Sequence, residues 1–176
     1  MTIFLIGYMA SGKTTLGRAL AARMGRPFID LDFYIEQRYR KSVADIFAAE
    51  GETRFREIER EMLREVGEFC DVVISCGGGT PCHFDNMEFM NSRGATVYLD
   101  TTVERIVERL LKARTQRPIV ARHSAEELPH FVATHLDERR AYYEMCRIRI
   151  DSTRLESRSQ IAATVDHLLT LLPRFQ

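Results

Sequence analysis

Eight residues near the start of the chain have the types and spacing of a loop that binds nucleotide phosphates. The segment Gly7-Tyr-Met-Ala-Ser-Gly12-Lys13-Thr14 fits the pattern G-x-x-x-x-G-K-[ST]. Its glycines permit a backbone path whose N–H groups can surround a phosphate, the lysine adds positive charge, and the Thr14 hydroxyl can ligate Mg²⁺. The match predicts nucleotide binding but does not name a reaction.

Two carboxylates, Asp30 and Asp32, come at the end of the second apolar run of the sequence. Open parallel sheets bind ligands at the carboxyl ends of their strands, and residues two apart on a strand point the same way. One carboxylate can therefore reach the water shell of a metal ion while the other accepts a proton or hydrogen bond from an attacking hydroxyl. The alternative is that a carboxylate at a strand end caps the next helix.

A second glycine-rich segment, Gly77-Gly78-Gly79, follows the third apolar run and is expected to face the same cleft. Because it lacks side chains, its backbone amides can approach a substrate closely. Arg56, Arg117 and Arg139 are the candidate cations, since the planar fork of arginine suits a carboxylate or a phosphate. Composition alone favours a surface position for each of them.

Five short apolar runs are the candidate strands that would bring these residues together. The runs are Thr2 to Ile6, Phe28 to Leu31, Val72 to Ser75, Ala95 to Leu99 and Ile148 to Ile150. They alternate with helical stretches, which is typical of parallel strands joined by crossover helices. The sequence predicts an α/β fold of three layers, in which helices flank a five-stranded parallel sheet.

Capping signals and apolar spacing predict where helices lie. Capping boxes at Thr101-x-x-Glu104 and Ser124-x-x-Glu127 mark two helix starts, and Gly25-Arg-Pro27 marks the end of the first helix. Between the second and third strands, five apolar residues form a stripe at helical spacing: Phe55, Ile58, Met62, Val66 and Phe69. The charged residues around them are interpreted as a solvated face: Arg54, Arg56, Glu57, Glu59, Arg60 and Glu61.

Length and composition limit the class of protein. A chain of 176 residues is long enough for one compact domain with a buried cleft. With Lys+Arg 25 and Asp+Glu 25 the formal net charge is zero, so any anion site must be local and no nucleic-acid or membrane partner is expected. The four cysteines form no C-x-x-C pair and no charged leader precedes the first apolar run, from which we expect reduced thiols and a cytoplasmic protein.

Taken in order, the motifs extend over nearly the whole chain. They are the phosphate loop through Thr15, Asp30-Leu-Asp32 with Ile35-Glu36, Ile46-Phe47, Gly51-Glu52, Phe55-Arg56, Glu59, the glycine triplet, Arg117-Pro118 and Arg139 before Tyr143. This ordered set resembles the shikimate kinase family. The resemblance implies one nucleoside-monophosphate-kinase-like P-loop domain over residues 1–176, with a substrate-binding insertion at about 32–66 and a lid at about 112–123. It also implies ATP-dependent phosphorylation of the shikimate 3-hydroxyl, a step of chorismate and aromatic amino acid biosynthesis.

The resemblance further implies how the ATP side of the site is built. Thr14 would be the direct ligand of Mg²⁺, the implied cofactor, and Asp30 would be its water-mediated partner. Lys13 and Arg117 would stabilise charge on the transferring phosphoryl group. The full set of implied ATP contacts is Ala10, Ser11, Gly12, Lys13, Thr14, Thr15 and Arg117.

The acceptor side is implied in the same way. Asp32 would hold a ring hydroxyl of shikimate and assist its deprotonation. Arg56 and Arg139 would grip the substrate carboxylate, and the Gly78 backbone amide would be a further contact. The family often has a proline in the segment around Arg139, and its absence here leaves Arg140 as an alternative; the spacing to Tyr143 favours Arg139.

Two departures from the family pattern lie in the phosphate loop. Ala10 stands where a glycine is common, and Thr14 stands where serine is commoner. Neither is expected to abolish activity, because alanine is the smallest replacement if its φ is permitted and threonine keeps the hydroxyl. The candidates for the adenine contacts are Lys112 or Arg114 and the turn from Asp151 to Arg154.

Two other functions stay open at the level of the sequence. Another small P-loop kinase, for gluconate or a nucleoside monophosphate, would also need an acceptor site that grips an anion. A catalytically silent nucleotide-binding regulator would keep the loop without the chemistry, and the intact Asp30, Asp32, Lys13 and Arg117 argue against it. We expect a monomer whose partners are ATP and shikimate, because each apolar face has a sheet to cover.

Overall fold

The structure is a computed structural model that describes residues 1–113 and 123–172. Its strands are β1 (Thr2–Ile6), β2 (Phe28–Asp30), β3 (Val73–Ser75), β4 (Gly94–Asp100) and β5 (Ile148–Asp151). Its helices are α1 (Lys13–Met24), α2 (Leu31–Tyr39), α3 (Val43–Gly67), α4 (Asn86–Arg93), α5 (Val103–Lys112), α6 (Leu128–Tyr143) and α7 (Arg158–Leu171). A 3₁₀ turn covers Thr80–Cys82.

The five strands form one parallel sheet in the order β2-β3-β1-β4-β5. Every residue of the central strand β1 is buried, as expected for a strand covered on both faces. Ile3 and Leu5 join a core with α1 and α7, whereas Phe4 and Ile6 join a core with α3, α4, α5 and α6. The predicted three-layer α/β fold with a five-stranded parallel sheet is therefore confirmed.

The predicted helix boundaries are mostly confirmed. Gly25 ends α1 in the left-handed conformation, and Ser124 and Glu127 exchange the two hydrogen bonds of a capping box just before α6. The box predicted at Thr101 is wrong by one residue, because Thr102 caps α5. The Thr101 hydroxyl is buried and hydrogen-bonds to that of Ser152 at 2.6 Å, so it is not available as a cap.

The predicted insertion at 32–66 consists of α2 and most of α3, and α3 is kinked at Gly51, where φ is 78°. Four members of its apolar stripe are buried, but Phe69 lies beyond the end of the helix and is 42% exposed. The interpretation of the charged residues as a solvated face is wrong for Glu59, which is only 1% exposed. Most of the predicted lid at 112–123 lies outside the described residues.

None of the helices in the described ranges is long and apolar enough to cross a membrane.

Candidate active site

The phosphate loop connects β1 to α1, as its sequence context predicts. Gly7 and Gly12 both have positive φ, at 139° and 97°, and a side chain at Gly7 would start 2.8 Å from the Leu99 carbonyl oxygen. Lys13 donates hydrogen bonds through Nζ to the carbonyls of Gly7 and Tyr8, each at 2.8 Å. The loop therefore places a lysine charge at the amino end of α1, where the helix dipole also attracts anions.

Ala10 has a φ of 60°, in the left-handed region. This is the position where the family commonly has a glycine, so the loop keeps a glycine-like backbone path with an alanine in it. The left-handed conformation costs an L residue about 1 kcal/mol or more. The Ala10 carbonyl accepts a hydrogen bond from Nη1 of Arg109 at 3.1 Å, which helps to hold that path.

The loop opens onto a cleft with a volume of about 350 Å³ at the carboxyl edge of the sheet. Its lining includes most of the predicted site residues together with parts of the glycine triplet and α5: Met9, Ala10, Gly12, Lys13, Thr14, Thr15, Asp30, Asp32, Ser75, Cys76, Gly77, Gly78, Arg109 and Leu155. Ser11 lies behind this lining, fully buried, and its backbone N–H donates to the Tyr8 carbonyl. The phosphate loop and the glycine triplet thus face one cavity.

Thr14 and Asp30 meet at the floor of the cleft. The Thr14 hydroxyl donates to Oδ2 of Asp30 at 3.0 Å, and Oδ1 of Asp30 accepts from the backbone N–H of Phe33 at 3.4 Å. Asp30 therefore caps α2, as the alternative interpretation predicts, and it also faces the phosphate loop, while its role towards a metal ion stays a prediction. A hydroxyl and a carboxylate oxygen are the hard donors that Mg²⁺ prefers, and Mg²⁺ usually completes its shell with water and phosphate oxygens.

Asp32 reaches the cleft from the first turn of α2, because β2 ends at Asp30 and the helix begins at Leu31. The prediction that the two carboxylates share one face of a strand is therefore wrong, although both line the cavity. Burial is the main reason that the pKa of Asp32 rises from 3.8 to about 6, and the neighbouring Glu59 carboxylate adds to it. The ammonium of Lys13 acts in the opposite direction. Asp32 is thus a carboxylate that gains a proton far more readily than an exposed one.

Charged side chains surround the glycine triplet and approach its backbone closely. A Cβ at Gly77 would lie 3.0 Å from Oδ1 of Asp32, and a Cβ at Gly79 would lie 2.7 Å from the guanidinium nitrogens of Arg56. At Gly78 the nearest side-chain atom is Nη1 of Arg139, at 3.7 Å. The structure brings together the predicted acceptor residues from α2, α3 and α6 around this one loop.

Arg139 and Arg140 differ in where their side chains point. Arg139 lies beside Gly78, whose carbonyl accepts a hydrogen bond from the Tyr143 hydroxyl at 2.6 Å. Arg140 pairs with Asp137 at 3.0 Å on its own helix, and its side chain is 40% exposed. Of the two alternatives left open by the sequence, the geometry favours Arg139.

Glu59 belongs to the ordered set of motifs, but its place at the site was not predicted from the sequence. Its Oε2 accepts a hydrogen bond from Nη1 of Arg56 at 2.9 Å, and its Oε1 accepts one from the Thr80 hydroxyl at 2.5 Å. A buried carboxylate needs such partners. The spacing of three residues from Arg56 along a helix was the available signal, because it places the two side chains on one face.

Arg109 is a second missed residue. Besides the Ala10 carbonyl, its guanidinium binds the carbonyls of Ser152 and Thr153 at 3.1 and 3.2 Å and the Glu156 carboxylate at 2.8 Å. It ties the phosphate loop to the turn at 151–154, the predicted adenine side. Nothing in the local sequence distinguishes it from the other arginines.

Some predicted contacts in the described ranges do not line this cleft: Arg56 and Arg139, which adjoin the glycine triplet, and Lys112. Lys112 is exposed and pairs with Glu108 at 2.7 Å. Arg114 and Arg117 lie outside the described residues.

Comparisons with known proteins point to one family. The family model described as shikimate kinase matches residues 9–170. A shikimate kinase of Parabacteroides distasonis is 49% identical over 170 residues, covering 97% of this chain and 98% of that protein. The crystal structure of shikimate kinase from Bacteroides thetaiotaomicron has a TM-score of 0.95 at 47% identity, covering 97% of each chain. Shikimate kinase from Acinetobacter baumannii, solved in complex with shikimate, has a TM-score of 0.83 at 32% identity, covering 96% of this chain and 93% of that one. The chain belongs to the shikimate kinase family.

Proposed function

We propose that this cleft transfers the γ-phosphoryl group of ATP to the 3-hydroxyl of shikimate, giving shikimate 3-phosphate and ADP. The observation that carries the proposal is the meeting of Arg56, Arg139 and Asp32 at a glycine loop that faces the phosphate loop. Two arginines from separate helices can bind a carboxylate, and a carboxylate of raised pKa can accept the proton of a hydroxyl. The complex of the Acinetobacter baumannii relative supports shikimate as the molecule that carries both groups.

On the ATP side, the backbone of the phosphate loop and Lys13 would surround the phosphates, with Arg109 fixing the loop from behind. The Thr14 hydroxyl and Asp30 fit a hydrated Mg²⁺ ion, because both offer oxygen and they already lie 3.0 Å apart. When bound, Mg²⁺ neutralises charge on the phosphate oxygens. Phosphoryl transfer depends mainly on positioning and electrostatics, and these residues supply both.

On the acceptor side, Asp32 would accept the hydrogen of the attacking hydroxyl. With a pKa of about 6 it is mostly ionised at neutral pH, yet basic enough to take a proton as the new bond forms. Arg56 and Arg139 would hold the substrate carboxylate, and the Gly78 backbone would add a contact. Glu59 keeps the Arg56 guanidinium in place through its hydrogen bond.

Other features are part of the same proposal. Arg117 would stabilise charge on the transferring group from a lid at about 112–123, which lies outside the described residues. Asp151 to Arg154 would contact the adenine. The chain would act as a cytoplasmic monomer with a single P-loop kinase domain.

Arg139→Ala and Arg140→Ala test the acceptor site directly, because the two arginines are adjacent and face different surroundings. We expect Arg139→Ala to raise the KM for shikimate by about 10²-fold, since an ionic hydrogen bond to the carboxylate is lost, while the KM for ATP changes by less than about twofold. Arg140→Ala should change neither constant. Steady-state kinetics with each substrate varied in turn give all four values. A rise in the ATP KM alone would remove Arg139 from the acceptor site.

A further inference from the structure

Tyr8 is the largest side chain of the phosphate loop, and it joins the loop to α6. Its ring is 1% exposed, and its hydroxyl lies 2.9 Å from Nδ1 of His135. The two rings meet edge to face, with centroids 5.6 Å apart. The imidazole also packs against Phe131, with a centroid separation of 5.2 Å. The tyrosine is therefore held by a defined partner as well as by packing.

Both groups are neutral near pH 7, so the contact is a hydrogen bond between neutral groups. Burial raises the pKa of Tyr8 to about 12, so the phenol keeps its proton. Burial and the nearby Arg139 guanidinium lower the pKa of His135, although the carboxylates of Glu138 and Glu52 oppose this shift. A neutral imidazole with its hydrogen on Nε2 can accept the phenol proton at Nδ1.

Tyr8 lies between the two halves of the site. Its backbone carbonyl accepts a hydrogen bond from Lys13 at 2.8 Å, on the ATP side. Its ring centroid lies 6.0 Å from the guanidinium carbon of Arg139, on the acceptor side. A shift of Tyr8 would therefore affect Lys13 through the backbone carbonyl and Arg139 through the ring.

Helix α6 contacts both loops from one face. His135, Arg139 and Tyr143 are spaced four residues apart, which places them in one row along the helix. His135 bonds to the phosphate loop and Tyr143 bonds to the carbonyl of Gly78 in the glycine triplet. The arginine that would hold the acceptor lies between these two attachments.

We propose that His135 is a positioning residue which, through its hydrogen bond to Tyr8, holds the phosphate loop in register with the helix that carries Arg139. This inference rests on the proposed function. Alignment of donor and acceptor affects the rate of transfer more than the binding of either substrate, because small displacements of reacting groups are costly. Loss of the bond should therefore lower kcat and leave the two KM values nearly unchanged.

Four variants test the role of the bond. His135→Leu removes one partner while keeping a bulky side chain against Phe131, and Tyr8→Phe removes only the hydroxyl. The double variant lacks both partners. His135→Asn places an amide near the position of Nδ1 and can restore the contact. His130→Leu, on the exposed surface of the same helix, is the matched control.

We expect each of the first two variants to lower kcat about fivefold, the rate equivalent of one neutral hydrogen bond. The double variant should also lose about fivefold, because the same bond is lost, and His135→Asn should recover to within about twofold of the unmodified chain. His130→Leu should keep the original kcat. The fraction of protein that binds ATP, measured by calorimetry, corrects each kcat for misfolded protein, so a loss of folded molecules does not imitate the effect.

Three results would overturn the role of His135. In the first, the fold-decrease in kcat of the double variant equals the product of the two single decreases. In the second, both single variants keep the original kcat. In the third, the variants change KM alone. The unmodified chain is assayed with shikimate alongside. If the unmodified chain does not turn over shikimate, the proposed function is contradicted. If it turns over normally but the kcat decreases of the single variants multiply in the double variant, only the positioning role is contradicted.

Discussion

At the scale of single residues, Asp32 combines a chemical use with an energetic cost. Its carboxyl is nearly buried beside Glu59, and its pKa rises from 3.8 to about 6 on folding. When a carboxyl group has a higher pKa in the folded state than in the unfolded state, the chain folds more favourably with that group protonated. The ionised form, which the proposed chemistry needs, is therefore destabilising, and this cost grows as the pH rises from about 4 to 6.

Replacing Asp32 by asparagine should separate these two properties. Without Mg²⁺ and nucleotide at pH 8, we expect Asp32→Asn to raise the free energy of unfolding by about 2 to 3 kcal/mol, and the gain should shrink towards zero as the pH falls to about 4. Turnover should fall by about 10² to 10⁴, since the proton acceptor is lost. Urea unfolding at several pH values and a steady-state assay measure the two effects. A variant with the same stability as the unmodified chain at every pH would contradict the burial of this charge.

The backbone conformation of Ala10 leads to a second prediction at this scale. Its φ of 60° favours glycine, so Ala10→Gly should stabilise the chain by about 0.5 to 1 kcal/mol, or about 1 to 4 °C in Tm for a protein of this size. Ala22→Gly, the same change at an exposed position of α1, should destabilise by about 1 kcal/mol. Thermal unfolding of the two variants gives both values. Equal destabilisation by both would show that Ala10 is not strained.

Some residues of the candidate site could be predicted from the sequence, and others could not. Lys13 and Thr14 belong to the phosphate-loop motif and Asp30 ends β2, so all three could be predicted from local pattern, and all three line the cleft. For Glu59 the only local signal was its spacing of three residues from Arg56, because its other partner, Thr80, is 21 residues away. Arg109 gave no such signal, since the carbonyls that it binds are 43 or more residues away along the chain. Only the tertiary fold distinguishes a buried helix carboxylate from its exposed neighbours.

At the scale of elements, the site depends on how closely α1 approaches the sheet. Gly17 lies in the middle of α1, and a Cβ there would be 2.5 Å from Cε2 of Phe28 and 2.9 Å from Cδ1 of Leu5. The glycine therefore lets the helix that follows the phosphate loop pack against β1 and β2. The helix begins at Lys13, so its position also fixes the lysine.

Gly17→Ala should destabilise the chain although alanine favours helices. We expect a loss of about 1 to 3 kcal/mol, because overpacking outweighs the gain of about 1 kcal/mol in helix propensity. Phe28→Leu replaces the ring that would clash with a smaller side chain. The free energy of unfolding of the double variant should therefore fall by less than the sum of the two single decreases. Urea unfolding of the three variants measures this coupling. A Gly17→Ala variant more stable than the unmodified chain would show that the helix has room to move.

The elements were predictable where one physical signal dominates. Strand positions follow from short apolar runs, and each observed strand overlaps its predicted run to within one residue at either end. The kink of α3 at Gly51 and the shift of the α5 cap from Thr101 to Thr102 were not predicted. The cap shift depends on a long-range contact, the bond between the buried Thr101 and Ser152 hydroxyls.

At the scale of the whole molecule, charge is balanced overall and concentrated locally. The formal net charge is zero, so the chain has no general attraction for anions. The parallel sheet brings the phosphate loop, the ends of β2 and β3, and the row of residues on α6 to one edge. The cations that would bind ATP and the acceptor carboxylate are gathered there by topology, which is why motifs far apart in the sequence form one site.

The most direct test of this account is ADP release from Mg·ATP by the purified chain, measured in one coupled assay with shikimate, gluconate, AMP, CMP or no acceptor. We predict release that depends on shikimate, with the other acceptors giving no more than the rate without any acceptor. Turnover with gluconate or a nucleotide but none with shikimate would keep the phosphoryl-transfer chemistry and contradict the assignment of Asp32, Arg56 and Arg139 to a shikimate pocket.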